Sequence, residues 1–154
     1  MKKIAFKISI IPMVLILFSF LLPEKKEAPT TTFSLTITVK GLKNSTGHVQ
    51  YSIYNKDGSI PDEEFTNYYR QKNAIINKKK STITFKNLPK GRYAINILHD
   101  ENKNGIIEKG WFLPIEGIGF SNYETIGLMN RPSFSGASFN LHSNSTKVVN
   151  VIYM

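Results

Sequence analysis

Arg92-Tyr93-Ala94-Ile95-Asn96-Ile97-Leu98-His99 is the stretch that decides the fold of this chain. Tyr93, Ile95 and Ile97 recur at every second position, with Arg92, Ala94 and Asn96 between them. Side chains of an extended strand point alternately to its two faces, so the pattern predicts a strand with the first set inward and the second outward. His99 continues the inward phase and is expected to be partly buried at the strand end, or to orient the neighbouring Asp100 as a hydrogen-bonded support.

The strand runs into Asp100-Glu101-Asn102-Lys103-Asn104-Gly105-Ile106-Ile107-Glu108. Asp100, Asn102, Asn104 and Gly105 fit the opening of a calcium loop, D-x-[DN]-x-[DN]-G. Such a loop places oxygens at its first, third and fifth positions and a glycine at the sharp turn. The Ile106 carbonyl and Glu108 would complete a candidate metal set of Asp100, Asn102, Asn104, Ile106 and Glu108. Trp111 stands where the bidentate glutamate belongs, so the motif is half complete. The same residues also describe a tight turn, since Asn and Asp bond their own backbone and Gly supplies positive φ. Both readings stand on the sequence.

Outward from this centre, Leu35, Ile37 and Val39 alternate with Thr36 and Thr38, and Val49, Tyr51 and Ile53 alternate with His48, Gln50 and Ser52. A weak strand is expected over residues 73–77, a lysine turn at Lys78-Lys79-Lys80, and a strand carrying Ile83 and Phe85. Asn87-Leu88-Pro89-Lys90-Gly91 reads as a turn. Pro and three acids predict a short helix over residues 61–70. Residues 100–135 show no strand of ordinary length, but Trp111, Phe112, Phe120, Tyr123 and Phe134 carry too much apolar surface to stay in water. That segment is expected to be an ordered loop folded back on the domain. Ala137, Phe139 and Leu141 precede a Ser143-Asn144-Ser145 turn and Val149, Val151 and Tyr153 follow it, which reads as a closing hairpin. The expected class is all-β: a single transthyretin-like or Ig-like β-sandwich of about seven strands, with one short helix and one long ordered loop.

The 154-residue chain carries no cysteine, which excludes disulfides, thiolate metal sites and a cysteine nucleophile. Met1-Lys2-Lys3 followed by a nearly all-apolar run over residues 8–22 has the layout of a secretory signal or an N-terminal membrane anchor. Residues 1–23 are assigned that role, residues 24–33 a polar linker and residues 34–154 the sandwich. Export to the periplasm or cell envelope is the expectation. Of the net charge of +9, Lys2, Lys3 and Lys7 carry three, leaving +6 on the remainder. The basic residues are scattered, which argues against nucleic acid and for a solvated surface facing an envelope protein or glycan. The acids fall into two groups, Asp57 to Glu64 and Asp100 to Glu124, expected at opposite poles if successive strands alternate in direction.

Leu35-Thr36-Ile37-Thr38-Val39-Lys40-Gly41-Leu42, Gly47-His48-Val49-Gln50, Phe85 to Ala94, His99 to Gly105, Pro114-Ile115-Glu116-Gly117-Ile118-Gly119-Phe120-Ser121-Asn122 and Pro132-Ser133-Phe134 occur in that order. Together they resemble the bacterial exported family called domain of unknown function 2141, over residues 34–153. The resemblance implies a transthyretin-like or carboxypeptidase-regulatory-like sandwich and implies no activity, substrate or catalytic residue. That family usually has Asp where this chain has Glu108.

Chemistry for an enzyme is sparse. There is no G-x-S-x-G elbow, the three histidines are dispersed, and only Glu108 and Glu116 suggest a carboxylate pair. The histidine set and terminal motif of transthyretin-like hydrolases are absent. The favoured reading is an exported accessory or binding module whose surface includes Glu116, Gly117, Gly119, Phe120, Ser121 and Asn122, with calcium as the one cofactor considered. Packing is the plain alternative for that motif, and a structural component of an envelope assembly is the alternative for the whole chain.

Overall fold

Strand β1 (Thr32–Lys40) buries Leu35, Ile37 and Val39 completely, as its alternation requires, in a computed structural model that describes residues 31–111 and 114–154. The signal or anchor at residues 1–23 lies outside the described residues, and Thr32 and Phe33, read above as linker, are already strand. β1 pairs antiparallel with β4 (Ser81–Pro89) and parallel with β8 (Ser145–Asn150), giving a three-stranded sheet in the order β4-β1-β8. The second sheet runs β3 (Arg70–Ala74), β2 (His48–Tyr54), β5 (Gly91–Asp100), β6 (Gly117–Phe120), and β7 (Phe139–Leu141) adds to the start of β5. One short helix, α1 (Phe134–Ala137), completes the described elements. The all-β sandwich expected from the alternation is present.

Between the sheets lies the main core, in which Tyr51, Ile53, Tyr93, Ile95 and Ile97 meet Leu35, Ile37, Val39 and Phe85. The sequence predicts solvent on the other face of β5. The structure instead buries Ala94, Asn96, Leu98 and Asp100 as well, and Gln50, Ser52 and Tyr54 beside them. The cause is a second apolar cluster, in which Ile60, Phe65, Ile118, Phe120, Phe134 and Ala137 cover Tyr54, Ala94 and Leu98. Ile107 and residues 121–137, with Ile60 and Phe65, pack on this outer face as a layer over the second sheet, to which β6 belongs.

Four local expectations change. Residues 61–70 form no helix. Buried Asp62 accepts from Thr66 N (3.0 Å) and Asn67 N (2.9 Å), and Phe65 sits at φ 50, which a right-handed helix forbids. The weak strand falls at Arg70–Ala74, a few residues early. Asn87 adopts φ 56 within β4, and the pairing with β1 shifts register between Phe33 and Leu35. This bulge carries the strand on to Pro89 and turns Leu88 inward. The closing segments form no hairpin: β7 joins β5 while β8 crosses to β1. Alternation fixes which face a residue takes and leaves the pairing partner open.

The last residues tie the two sheets together. Ile118 N donates to Ile152 O at 3.0 Å and Ile152 N to Ile118 O at 2.7 Å, beside β6. A Cβ at Gly117 would strike Val151 and Tyr153, and one at Gly119 would strike Asn150 O. Both glycines are there because the C-terminal strand passes too close for a side chain.

Candidate functional site

The Asp100 loop is closed by its own hydrogen bonds. Asp100, fully buried and paired in register with His48, accepts from Asn104 N (3.1 Å) and Gly105 N (2.9 Å) on its two oxygens. Asn102 Oδ1 accepts from Asn104 N (3.0 Å) and Asn104 Oδ1 from Ile106 N (2.9 Å), the turn chemistry expected of these residue types. Their amide nitrogens reach one carboxylate oxygen: Glu108 Oε1 accepts from Asn102 Nδ2 at 2.6 Å and Asn104 Nδ2 at 3.3 Å. Asp100, Asn102, Asn104 and Glu108 are therefore gathered, with amide donors facing Glu108. A cation there would need the carboxamides turned to present oxygen instead. Among the described residues no three His, Asp or Glu side chains converge as a metal cluster.

Glu116 braces this loop from below. It is buried, and its oxygens accept from Glu101 N (3.0 Å) and Glu108 N (3.4 Å). Burial pushes its carboxyl up, and the nearby Asp100 and Glu108 charges add to that, against the two backbone N–H bonds. Glu116 is thus engaged with backbone, which removes the support for pairing it with Glu108 as a hydrolytic dyad. Glu101 has the opposite setting. Partial burial opposes its charge but is outweighed by Lys43 Nζ at 2.6 Å and Asn44 Nδ2 at 2.8 Å, which hold it below the usual carboxylate range.

His99 is fully buried, further than the partial burial expected, and it orients something other than Asp100. Its Nε2 faces Thr46 O (3.0 Å), which requires the proton there, so Nδ1 accepts from the Tyr153 hydroxyl (2.6 Å). The histidine beside Asp100 is His48, with Nε2 3.2 Å from Oδ2.

The remaining motif residues divide by role. Ser121 is buried, donating to Ala137 O at 2.5 Å and accepting from Ile95 N at 2.9 Å. Asn122 Nδ2 donates to Gly136 O and Ser138 O. Ser121 and Asn122 hold the covering layer in place, and Gly117 and Gly119 make room for the C-terminal segment. Phe120, with Ile118, lines a cavity.

That cavity, about 280 Å³, opens on the outer face of β5 and β6. Ile107, Pro114, Ile118, Phe120, Ile126 and Leu128 line it beside Asn96, and the charged Asp62, Glu63, Lys109 and Arg131 also border it. Of the two acidic groups only the first lines it, through Asp62 and Glu63, and Lys109 forms an ion pair with Glu63. The sequence reading placed Asn96 in solvent and missed the cavity. The signal was Ala94 and Leu98, two apolar residues in the supposedly solvated phase of β5. Trp111, expected to be buried, is 96% exposed, with Leu128 and Met129 also exposed at the tip of a tight turn closed between Gly127 and Asn130. Phe112 lies outside the described residues.

Among solved structures, two of a pilus-presented adhesin, Spy0125 (Cpa), are similar to this chain: a P212121 form at 17% identity and TM-score 0.25, covering 78% of this chain, and a cysteine-to-alanine mutant at 17% and 0.25, covering 79%. The chain spans 27% of that adhesin's length, and likeness of this degree says nothing of function. No curated protein matches. Residues 37–149 match the family described as an uncharacterized protein conserved in bacteria (DUF2141), and the chain belongs to that family.

Proposed function

We propose that this member of the DUF2141 family is an exported accessory module of the cell envelope that binds a small amphipathic ligand between its second sheet and the covering layer. The cavity carries the reading. The covering layer, anchored by Ser121, Asn122 and Glu116, leaves an open cleft of about 280 Å³ lined largely by apolar side chains, the common character of small-ligand sites. That volume sits near the lower end for ligand pockets and suits a single ring with a short chain. Lys109 is neutralised by Glu63, but Arg131, which has no ion-pair partner among the described residues, favours an anionic end. The basic start and apolar run at the N-terminus support export.

Isothermal calorimetry of the full chain with 3-phenylpropionate tests this. Saturable binding that is abolished by Ile126→Trp, which fills the cavity, is expected. Absence of binding, or binding indifferent to Ile126→Trp, contradicts it and leaves the structural-component reading. The exposed Trp111, Leu128 and Met129 favour that second reading, as apolar tips for an envelope partner.

The Asp100 loop supports a subsidiary proposal of weak calcium binding, motivated by the gathering of Asp100, Asn102, Asn104 and Glu108. With two acidic ligands and no bidentate glutamate, its affinity belongs with extracellular modules, about 10⁻⁴–10⁻³ M.

A further inference from the structure

We propose that the turn between β3 and β4 is a docking tip for an anionic lipid surface, with Lys78, Lys79 and Lys80 meeting the phosphates and Ile75 entering the apolar boundary beneath them. None of these residues borders the cavity. Residues 66–99 carry eight lysines and arginines and no acid. Most of them share one side of the fold, because β3 and β4 are edge strands of the two sheets and follow one another through a short turn. Among the described residues only Arg92 of the eight has an ion-pair partner, Asp57. Unpaired like charges repel one another in the folded state, and an anionic partner turns that repulsion into attraction.

Protection of bare strand edges explains part of this charge. Arg70 donates to Lys86 O (2.8 Å) and Asn87 O (3.2 Å), and Lys72 to Thr84 O (3.3 Å), so both cover carbonyls of β4. Lys78, Lys79 and Lys80 lie beyond both strands, where no edge needs covering. Asn77 and Lys80 pair across a two-residue turn, N to O at 2.8 and 3.0 Å, and Lys78 and Lys79 both sit at positive φ, 48 and 57. Such a turn prefers Asn-Gly, and lysine is strained there. The chain thus keeps two lysines at a conformational cost, as sites held for binding do. Ser45 Oγ accepts from Lys79 N at 3.1 Å, which braces the tip against the segment between β1 and β2.

Ile75 points to lipid as the partner. It is 82% exposed and borders one shallow recess with Lys78 and Lys80. A soluble polyanion would meet the lysines and leave Ile75 in water. A bilayer takes the ammonium groups at its headgroups and the isoleucine just beneath them. Lysine suits that role, because a point charge on a flexible stem follows moving phosphates without the fixed fork of arginine. Export, expected from the N-terminal basic start and apolar run, would bring the chain to such a surface.

The chain has no cysteine, so Thr82→Cys, exposed beside the same recess, takes a single environment-sensitive nitrobenzoxadiazole label on the full chain. Its emission should rise with vesicles of equal parts phosphatidylglycerol and phosphatidylcholine and stay flat with phosphatidylcholine alone. That contrast separates docking of the tip from insertion of the N-terminal apolar run, which needs no anionic lipid. The rise should vanish in about 1 M salt, where the Debye length is about 3 Å. Lys78→Asn with Lys79→Gly gives the turn its preferred residues and should melt no lower than the parent. It should nevertheless lower the docked-to-free ratio of the tip by about tenfold or more, since each lysine at an anionic surface is worth about fivefold. Ile75→Ser should also weaken docking and leave its salt sensitivity intact. An equal rise with both vesicle types, or one that the paired lysine substitutions leave unchanged, overturns the proposal. A rise with dextran sulfate and none with the anionic vesicles assigns the tip to a soluble polyanion and overturns it too.

Discussion

Ser121 Oγ accepts a hydrogen bond from Ile95 N at 2.9 Å, and Ile95 O accepts from Ser121 N at 3.0 Å. β6 pairs with residues 96–99 of β5 and β7 with residues 91–93 on the same edge, so Ile95 falls in the gap between them. One serine therefore stands in for strand pairing and, through Ala137 O, joins both limbs of the covering layer to the central strand. Ser121→Ala strands the Ile95 N–H in a buried place and should cost about 1–3 kcal/mol. Denaturant unfolding checks this; a variant as stable as the wild type would show the gap to be reached by water.

The two faces of β5 should be equally intolerant of truncation. Ile97→Ala removes a side chain from the inter-sheet core and Leu98→Ala one from the outer cluster, both fully buried. Each should cost about 2–5 kcal/mol. A loss below about 0.5 kcal/mol for Leu98→Ala, the range of ordinary surface changes, would mean that the outer face is open.

The strands with strict alternation were legible because a period of two has one structural meaning. Leu35, Ile37, Val39, Tyr93, Ile95 and Ile97 all took the expected face. β6 was not legible, since Gly117-Ile118-Gly119-Phe120 has no local strand signal; its extension comes from pairing with β5 and from the close passage of the C-terminal strand. The Asp100 turn could be read from residue types alone, because its hydrogen bonds close within a few residues. The cavity could not, because its lining comes from distant segments, and Trp111 shows that aromaticity does not guarantee burial.

Glu116 and Glu101 should respond to pH with opposite signs. The raised Glu116 means that the folded state holds that proton more readily than the unfolded chain, so its contribution grows as pH falls through the raised value. The lowered Glu101 contributes above the ordinary glutamate value and loses that contribution as pH falls through the lowered one. In melting curves from about pH 7 to about pH 3, spanning the ordinary carboxylate range, wild type should gain on Glu116→Gln and lose ground to Glu101→Gln. Parallel trends would contradict the two settings.

Calcium at about 10 mM should raise the melting temperature. For a dissociation constant of about 10⁻⁴–10⁻³ M the stabilisation is about 1.4–2.7 kcal/mol. Asp100→Asn should remove the shift and Glu124→Gln should keep it. No response at that concentration leaves the loop as a turn alone.

The account rests most heavily on the cavity being occupied by ligand, and intermolecular nuclear Overhauser effects read this directly. With 3-phenylpropionate bound to the full chain, ring protons should show contacts to the methyl groups of Ile107, Ile118 and Ile126, which line the cavity. Contacts confined to Leu128, Met129 and Trp111 would place the ligand on exposed tips and contradict the account.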